Sequence, residues 1–421
     1  MTLVAIIVAA LAGLLTATLA FLLTHRRRTS RVVLEHDTLP PIAEGLTTLA
    51  GISGANVFLG NSASVYQNSS LFDAMVEDIE TARLTVHLES FVWEASEIEQ
   101  RLVELLACKA TEGVKVRVMI DAMGGQKASP EQLQRLRDAG VQLEVYCKPH
   151  WWNLRRLNHR THRKLLIVDG RIGYTFGHGI SKNWQGNAQD AEHFRDTGVR
   201  LEGPVVHALQ SVFMENWIEE SNHAPMGDGC FPTLQPCGEI SAHVVSSAAG
   251  DAVSAVALFY TAALASAREE IVIQNPYFAP DREFIGVLAD VVKRGAKVTL
   301  MVPGKNTDSP VVRRAGCRLY ADLLRAGVTL YEYQRTLLHQ KVIVIDGQWS
   351  HIGSANFDER SLALNQEVGV GILDKAVATD LLKAFEDDLT LSTEITLERW
   401  LKRPWYSGVI DWLAYQLQAQ L

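Results

Sequence analysis

The middle of this chain is written twice, and that restricts the fold more than any other feature. The stretch TARLTVHLESFVWE (81–94) has a counterpart in AREEIVIQNPYFAP (267–280), and each is followed by an amphipathic helical run, LVELLACKA or IGVLADVVK. GVKVRVMID (113–121) then answers to GAKVTLMVP (295–303), and LRDAGVQLEVY (136–146) to LLRAGVTLYEY (323–333). Each copy closes on an apolar run, KLLIVDG or KVIVIDG. The order strand–helix–strand–helix–strand–strand, met twice, predicts an α/β fold of two similar lobes, 46–222 and 243–392. Strands that are apolar throughout are buried on both faces, so each lobe is expected to be a mostly parallel sheet flanked by helices. The segment between them, 223–242, carries HAPMGDGCFPTLQPCGE and reads as a linker. A chain of 421 residues that is 47% hydrophobic and 21% charged is long and apolar enough for two such cores.

Both copies end on the same constellation. The first has His162, Lys164 and Asp169 in HRKLLIVD, and the second has His339, Lys341 and Asp346 in HQKVIVID. The pattern H-x-K-x4-D falls at matching places of the repeat, which moves these residues from ordinary strand-flanking polar groups to candidate catalysts. Positions two apart on a strand share a face, so each His and its Lys should look into one space. A histidine supplies a nucleophile or a general acid and base near neutral pH, and a lysine supplies positive charge for a phosphate oxygen. With the two faces together, one imidazole could attack phosphorus while the other protonates the leaving oxygen. Past the second motif, in GSANFDERS, Ser354 and Asn356 could donate to a phosphate or hold the loop. Glu367 in NQEVGV, and Asp196 in FRDTGVRLEG at the comparable place of the first copy, could each fix a histidine tautomer; ordinary strand-end charges are the alternative.

The ends of the chain point to a membrane. Residues 3–23, LVAIIVAALAGLLTATLAFLL, hold no charge, and a helix of that length covers about 30 Å. A transmembrane anchor is expected over 1–24, with a basic juxtamembrane linker over 25–45. Arg26, Arg27, Arg28 and Arg31 follow the apolar run rather than precede it, which argues against a cleaved signal and places the body on the cytoplasmic side. In the tail, 393–421, Pro404 should open a helix on which Tyr406, Val409, Ile410, Leu413 and Leu417 form one stripe with Trp405 and Trp412 beside it. That stripe fits a helix lying at a membrane surface or one packed on the protein's own core. Trp151, Trp152, Arg155 and Arg156, just before the first motif, suit anionic headgroups or the partner lobe. Forty basic against 48 acidic residues, a net charge of −8, disfavour nucleic acid as partner. Five scattered cysteines form neither a zinc spacing nor a disulfide framework.

With its two H-x-K-x4-D motifs, its GSANFDERS run and its repeated lobes, the chain resembles the phospholipase D superfamily. NHRTHRKLLIVDGRIGYTFG, FRDTGVRLEGPVV, the ESFVWE strand, the apolar N-terminus and the Trp/Arg-rich tail resemble its bacterial cardiolipin synthase branch. The resemblance implies two phospholipase D-like lobes and a phosphohistidine intermediate formed without metal or other cofactor. It makes His162 the nucleophile and His339 the acid and then the base, with Lys164, Lys341 and Asn356 on the phosphate. It pairs Glu367 with His162 and Asp196 with His339, each acid coming from the other lobe. Asp169 and Asp346, motif members counted with the catalytic set, are expected to brace the motif loops. The first copy departs from the pattern: Gly177 stands at the place of Ser354 and Gly179 at that of Asn356.

The expected activity is therefore a phosphatidyltransferase of the bacterial inner membrane. It would act on phosphatidylglycerol, make cardiolipin and release glycerol, one phosphodiester replacing another without a nucleotide. Hydrolysis of phospholipid, or less readily of nucleic acid, uses the same residues and is the rival. A scaffold built on an inactive fold is the third reading, and two intact motifs speak against it. The repeat supplies both half-sites within one chain, so the site needs no dimer, and the oligomeric state stays open.

Overall fold

The computed structural model describes residues 2–24, 39–148, 159–227, 229–248 and 254–417. The first lobe contributes strands β1 (Val57–Gln67), β2 (Thr85–Ser90), β3 (Lys115–Asp121), β4 (Gln142–Tyr146), β5 (Leu165–Val168), β6 (Ile172–Phe176) and β7 (Thr197–Glu202). The second contributes β8 (Ile240–Ser247), β9 (Glu270–Gln274), β10 (Phe278–Ala279), β11 (Lys297–Pro303), β12 (Thr329–Tyr333), β13 (Val342–Ile345), β14 (Trp349–Gly353), β15 (Phe357–Asp358), β16 (Glu367–Leu373) and β17 (Ser392–Ile395). Apart from the short β10–β15 pair, all of them join one sheet in the order β17-β12-β11-β9-β13-β14-β16-β8-β1-β7-β6-β5-β2-β3-β4. The order reads nearly the same from either end, and its centre is the antiparallel pair β1–β8, so the lobes share a sheet.

The expectation of mostly parallel lobes is corrected here. Parallel pairing in the large sheet is confined to the outer trios β2–β3–β4 and β9–β11–β12, and the strands between them pair antiparallel. The cause is local. Asp169–Gly170 and Asp346–Gly347 have φ of 52° and 62°, and of 52° and 58°. Two consecutive left-handed residues make the tight turn of a hairpin, so β5 returns as β6 and β13 as β14.

Helices cover the sheet: α1 (Thr2–Thr24), α2 (Ile42–Ile52), α3 (Ser70–Thr81), α4 (Glu97–Thr111), α5 (Pro130–Asp138), α6 (Val206–Ser221), α7 (Ala255–Ala265), α8 (Arg282–Lys293), α9 (Pro310–Cys317), α10 (Tyr320–Arg325), α11 (Glu359–Ala363), α12 (Lys375–Leu389), α13 (Leu397–Leu401) and α14 (Trp405–Gln416). Side-chain caps start several of them: Ser96 accepts from Glu99 N, Ser129 from Gln132 N, Ser254 from Ala257 N and Asp281 from Phe284 N. Each lobe has an outer core, and a third core between them draws on both. Leu165, Ile167 and Leu201 of the first lobe pack there with Val342, Val344 and Val370 of the second. Helix α6 reaches β8 and α12 reaches β1, so each lobe's last helix touches the other lobe.

Three segments depart from the sequence division. Helix α2 begins inside the expected 25–45 linker and crosses over: Ile42, Leu46 and Leu49 join Val256 and Phe259 in the core of the second lobe. The linker 223–242 ends in β8 and otherwise lies on the first lobe, with Cys237 N donating to Gly60 O and His207 Nε2 bonded to Pro232 O. The tail starts within the sheet, because β17 spans residue 393 and pairs with β12. None of the five cysteines is in a disulfide. The expected transmembrane helix is not found: α1 occupies Thr2–Thr24, yet among the described residues no helix is long and apolar enough to cross a membrane. Arg26, Arg27, Arg28, Arg31, Trp151, Trp152, Arg155 and Arg156 lie outside the described residues.

Candidate active site

The two motifs meet between the lobes. His162 and Lys164 stand in the extended stretch just before β5, and His339 and Lys341 in that before β13, rather than on the strands themselves. Each stretch is stitched to the other lobe: His162 N donates to Gln366 O at 2.9 Å, and His339 N to Arg195 O at 2.7 Å. The residue following each of those carbonyls is an acid, so the same stitch that seats a histidine delivers its carboxylate. His162 Nδ1 lies 3.0 Å and 3.1 Å from the Glu367 oxygens. His339 Nδ1 lies 2.7 Å from Asp196 Oδ2. Both acids are fully buried.

The electrostatics follow from burial and pairing. Burial would raise the Glu367 carboxyl, but the His162 ring, Lys164 and the Ser354 hydroxyl outweigh it and hold the group at about 2. Asp196 is likewise pushed below the usual carboxylate range by His339, His178 and Lys341 against the effect of burial. Burial brings both histidines down to about 4; Lys164 adds to this at His162, where Glu367 opposes it, and Lys341 adds to it at His339. Ionised acids facing neutral rings put the proton on Nδ1; the Nε2 lone pair of His162 is then left for attack, and that of His339 faces Lys341 Nζ at 3.1 Å. Burial, then repulsion from Lys341, lowers Lys164 to about 7. Burial, opposed by Asp196, leaves Lys341 at about 8. Lys164 Nζ donates to His162 O at 2.8 Å, and Lys341 Nζ to His339 O at 2.6 Å, with the His339 ring nitrogens 3.0 and 3.1 Å away.

The grouping of Asp169 and Asp346 with the catalytic set is corrected, as is the placing of Ser354 on the phosphate, while the expected bracing of the motif loops by the two aspartates agrees with their hydrogen bonds. Asp169 and Asp346 are not in the site. They sit at the far ends of β5 and β13 and accept from backbone N–H groups: Asp169 from Arg83, Leu84 and Thr85, and Asp346 from Arg268, Glu269 and Glu270. A four-residue strand separates each from its lysine, so motif membership does not bring them to the chemistry. Ser354 is spent on Glu367, donating to Oε2 at 2.5 Å and accepting from Val368 N at 3.0 Å, and is not open to a phosphate. Asn356 differs: its buried Oδ1 has no hydrogen-bond partner among the described residues.

The site also uses residues that the sequence reading passed over. Trp184 Nε1 donates to Asp196 Oδ2 at 2.8 Å, the part Ser354 plays for Glu367, and its ring meets His339 edge-on at 5.1 Å. This accounts for the glycines of the first copy. A Cβ on Gly177 would stand 2.2 Å from Asp196 Oδ1, and one on Gly179 2.8 Å from the Trp184 ring. Ser361 donates to Glu367 Oε1, and Phe91 meets His162 edge-on at 5.0 Å. Asn275 ties the loop around Asn356: Oδ1 accepts from Phe357 N at 3.2 Å and Nδ2 reaches Ala355 O at 3.4 Å. Behind the site, Arg195 Nε donates to Asp388 Oδ1 at 2.9 Å across the lobes. Trp184 and Arg195 have no counterpart in the repeat to advertise them; Ser361 lies within GSANFDERS and could have been read there. Among the described residues no cluster of three or more His, Cys, Asp or Glu side chains could hold a metal ion.

The sequence profile described as cardiolipin synthase, PLD-like domain, matches residues 75–217 and 260–389. The major cardiolipin synthase of Bacillus subtilis (strain 168) is 35% identical over 337 residues, 79% of this chain and 70% of that protein. A cardiolipin synthase of Staphylococcus aureus (strain Mu50) is 33% identical over 348 residues, 82% of this chain and 70% of that one. Among solved structures, phosphatidylserine synthase from Haemophilus influenzae superposes with a TM-score of 0.67 at 12% identity, covering 89% of this chain and 99% of that one. Polyphosphate kinase from Porphyromonas gingivalis reaches 0.51 at 12% identity over 85% of this chain and 54% of its own. The last two show the shared fold alone. With a matched profile over both lobes and relatives at a third identity over most of their length, the chain belongs to the phospholipase D-like cardiolipin synthase family.

Proposed function

We propose that this enzyme joins two phosphatidylglycerol molecules into cardiolipin and releases glycerol. The observation that carries the reading is the crossed pairing, His162 on Glu367 and His339 on Asp196, around two buried lysines. Lys164, Lys341 and the Asn356 amide hold the phosphodiester oxygens. The Nε2 lone pair of His162 attacks phosphorus, the P–O bond to the departing glycerol breaks, and His339 gives that oxygen its proton. The incoming phosphodiester charge offsets Lys341, the positive charge that depresses His339, and so raises its proton affinity for this step. The primary hydroxyl of a second phosphatidylglycerol then loses its proton to His339 and attacks phosphorus. The P–N bond breaks and cardiolipin leaves with His162 restored.

In this reading the enzyme works at the bacterial inner membrane with its body on the cytoplasmic face, where the substrate lipids are, and Arg26, Arg27, Arg28 and Arg31 favour that side. The test is a product analysis of the purified chain with phosphatidylglycerol vesicles and EDTA. Cardiolipin and glycerol in equal amounts are expected, reduced about a thousandfold or more in His162→Ala and in His339→Ala. Phosphatidic acid in place of cardiolipin would make the enzyme a hydrolase. Lipid turnover untouched by His339→Ala would leave a scaffold.

A further inference from the structure

Helix α14 is mounted inside out. Its acidic and small residues face the protein: Asp411 is buried between Arg314 and Arg403, each at 3.1 Å, and Ala414 packs on Ala279 and Ala315. Its large apolar residues face away, with Trp405 82% exposed and Tyr406, Ile410, Trp412 and Leu413 between 44% and 54%. A soluble helix does the reverse, and an apolar face of this kind marks a surface made for a partner. Beside it, between α9, α13 and α14, lies a pocket of about 430 Å³ lined by Trp400, Trp405, Trp412, Arg318 and Arg403. The Arg403 guanidinium stacks 3.2 Å over Trp400 and is used by Asp411. Arg318, by contrast, has no side-chain hydrogen bond or ion pair among the described residues.

We propose that this face seats the enzyme on an anionic phospholipid surface, with one lipid phosphate held at Arg318 in the tryptophan-lined pocket. The proposal rests on the lipid-transfer reading above. Tryptophan and tyrosine beside Val409, Ile410 and Leu413 are the side chains that settle at the headgroup level, partly apolar and partly wet. Arg314, Arg318, Arg399, Lys402 and Arg403 outnumber Glu398 and Asp411 here, a basic patch on a chain of net charge −8, complementary to an anionic bilayer. A second copy docking by the same face about a two-fold axis would set those arginines against their own twins. The seat is close to the chemistry. Helix α9 carries Arg314 and ends one residue before Arg318, is eight residues or about 12 Å long, and starts two residues after Asp308. The Asp308 carboxylate accepts from Tyr277 Oη at 2.6 Å and acts on both His339 and Lys341. A bilayer lying on α14 thus meets the protein about one short helix from the phosphate site.

The experiment uses the full chain reconstituted in phosphatidylcholine vesicles. Phosphatidylglycerol is supplied either in the bilayer or as a short-chain form below its micelle threshold. Trp405→Ser/Trp412→Ser/Leu413→Ser should lower cardiolipin formation from bilayer lipid about tenfold while keeping the short-chain rate within about twofold. Arg318→Gln should flatten the dependence of rate on the anionic lipid fraction. In the His162→Ala protein, vesicles of brominated phosphatidylglycerol should quench tryptophan emission, and the triple substitution should remove that quenching, a readout independent of turnover. Wild-type vesicle rates in both variants, or equal losses on both substrates, would overturn the proposal. So would a dimer that the triple substitution dissociates, which would give the face to a second copy. No cardiolipin from either substrate, with quenching intact, would overturn the functional reading and leave the docking surface standing.

Discussion

His162 and His339 are each oriented by a carboxylate at Nδ1, and the price is two lysines buried beside them without full compensation. Burial lowers Lys164 to about 7 and Lys341 to about 8, so both lose their charge as the pH rises from neutral. Since that charge is proposed to receive the phosphodiester, kcat/KM on short-chain phosphatidylglycerol should fall as pH rises through 7 to 8. A flat profile from pH 7 to 9.5 would show that the lysines stay charged. The residues proposed to do the chemistry were legible because they come twice, at a spacing with a geometric meaning. Trp184 was not legible: it does for Asp196 what a serine does for Glu367, and no pattern connects an indole with a hydroxyl. Asp169 and Asp346 taught the opposite lesson, since a fixed spacing placed them in the motif for the sake of a turn.

At the scale of elements that turn is a stability device. Asp346 takes three backbone N–H donors from residues 268–270 while holding a left-handed φ of 52°. Asp346→Ala should cost about 2 kcal/mol of stability, from lost charge-assisted hydrogen bonds, with KM unchanged in the protein that remains folded. Denaturant midpoints alongside kinetics would check this; full stability with lost turnover would return Asp346 to the chemistry. The strands themselves were readable, because LLIV and VIVI are buried at every position. Their directions were misread. A strand covered on both faces has the same composition whether its neighbour runs with it or against it, and the information lay in the two Asp–Gly turns. The crossing of α2 to the second lobe was hidden for another reason: an apolar helix face names no partner.

The whole molecule carries an acid liability outside its site. Burial lowers His243 and His351 to about 3, and burial with the Arg117 charge does the same to His87. A histidine whose folded pKa is depressed gives stability that is complete above its unfolded value near 6.5 and is lost as pH falls toward the folded value. At pH 5 each of the three should have surrendered about 2 kcal/mol, a large share of a typical folding free energy. The urea midpoint should therefore drop steeply between pH 6.5 and 5, and an unchanged midpoint would mean that these rings are protonated in place. Two lobes were evident from the repeat; that they share one sheet and one central core was not, because β1 and β8 look like any other strands until they pair. The crossed carboxylates have a consequence for how such a site can change. Two separate single-lobe chains meeting about an axis would carry every substitution in both halves, and their two imidazoles would stay twins. Joined in one chain, the halves are free to drift apart, and here they have: an indole supports one acid and two serines support the other. The cleft has gained a left and a right, which is what an enzyme needs if the lipid that gives and the lipid that receives are to be told apart.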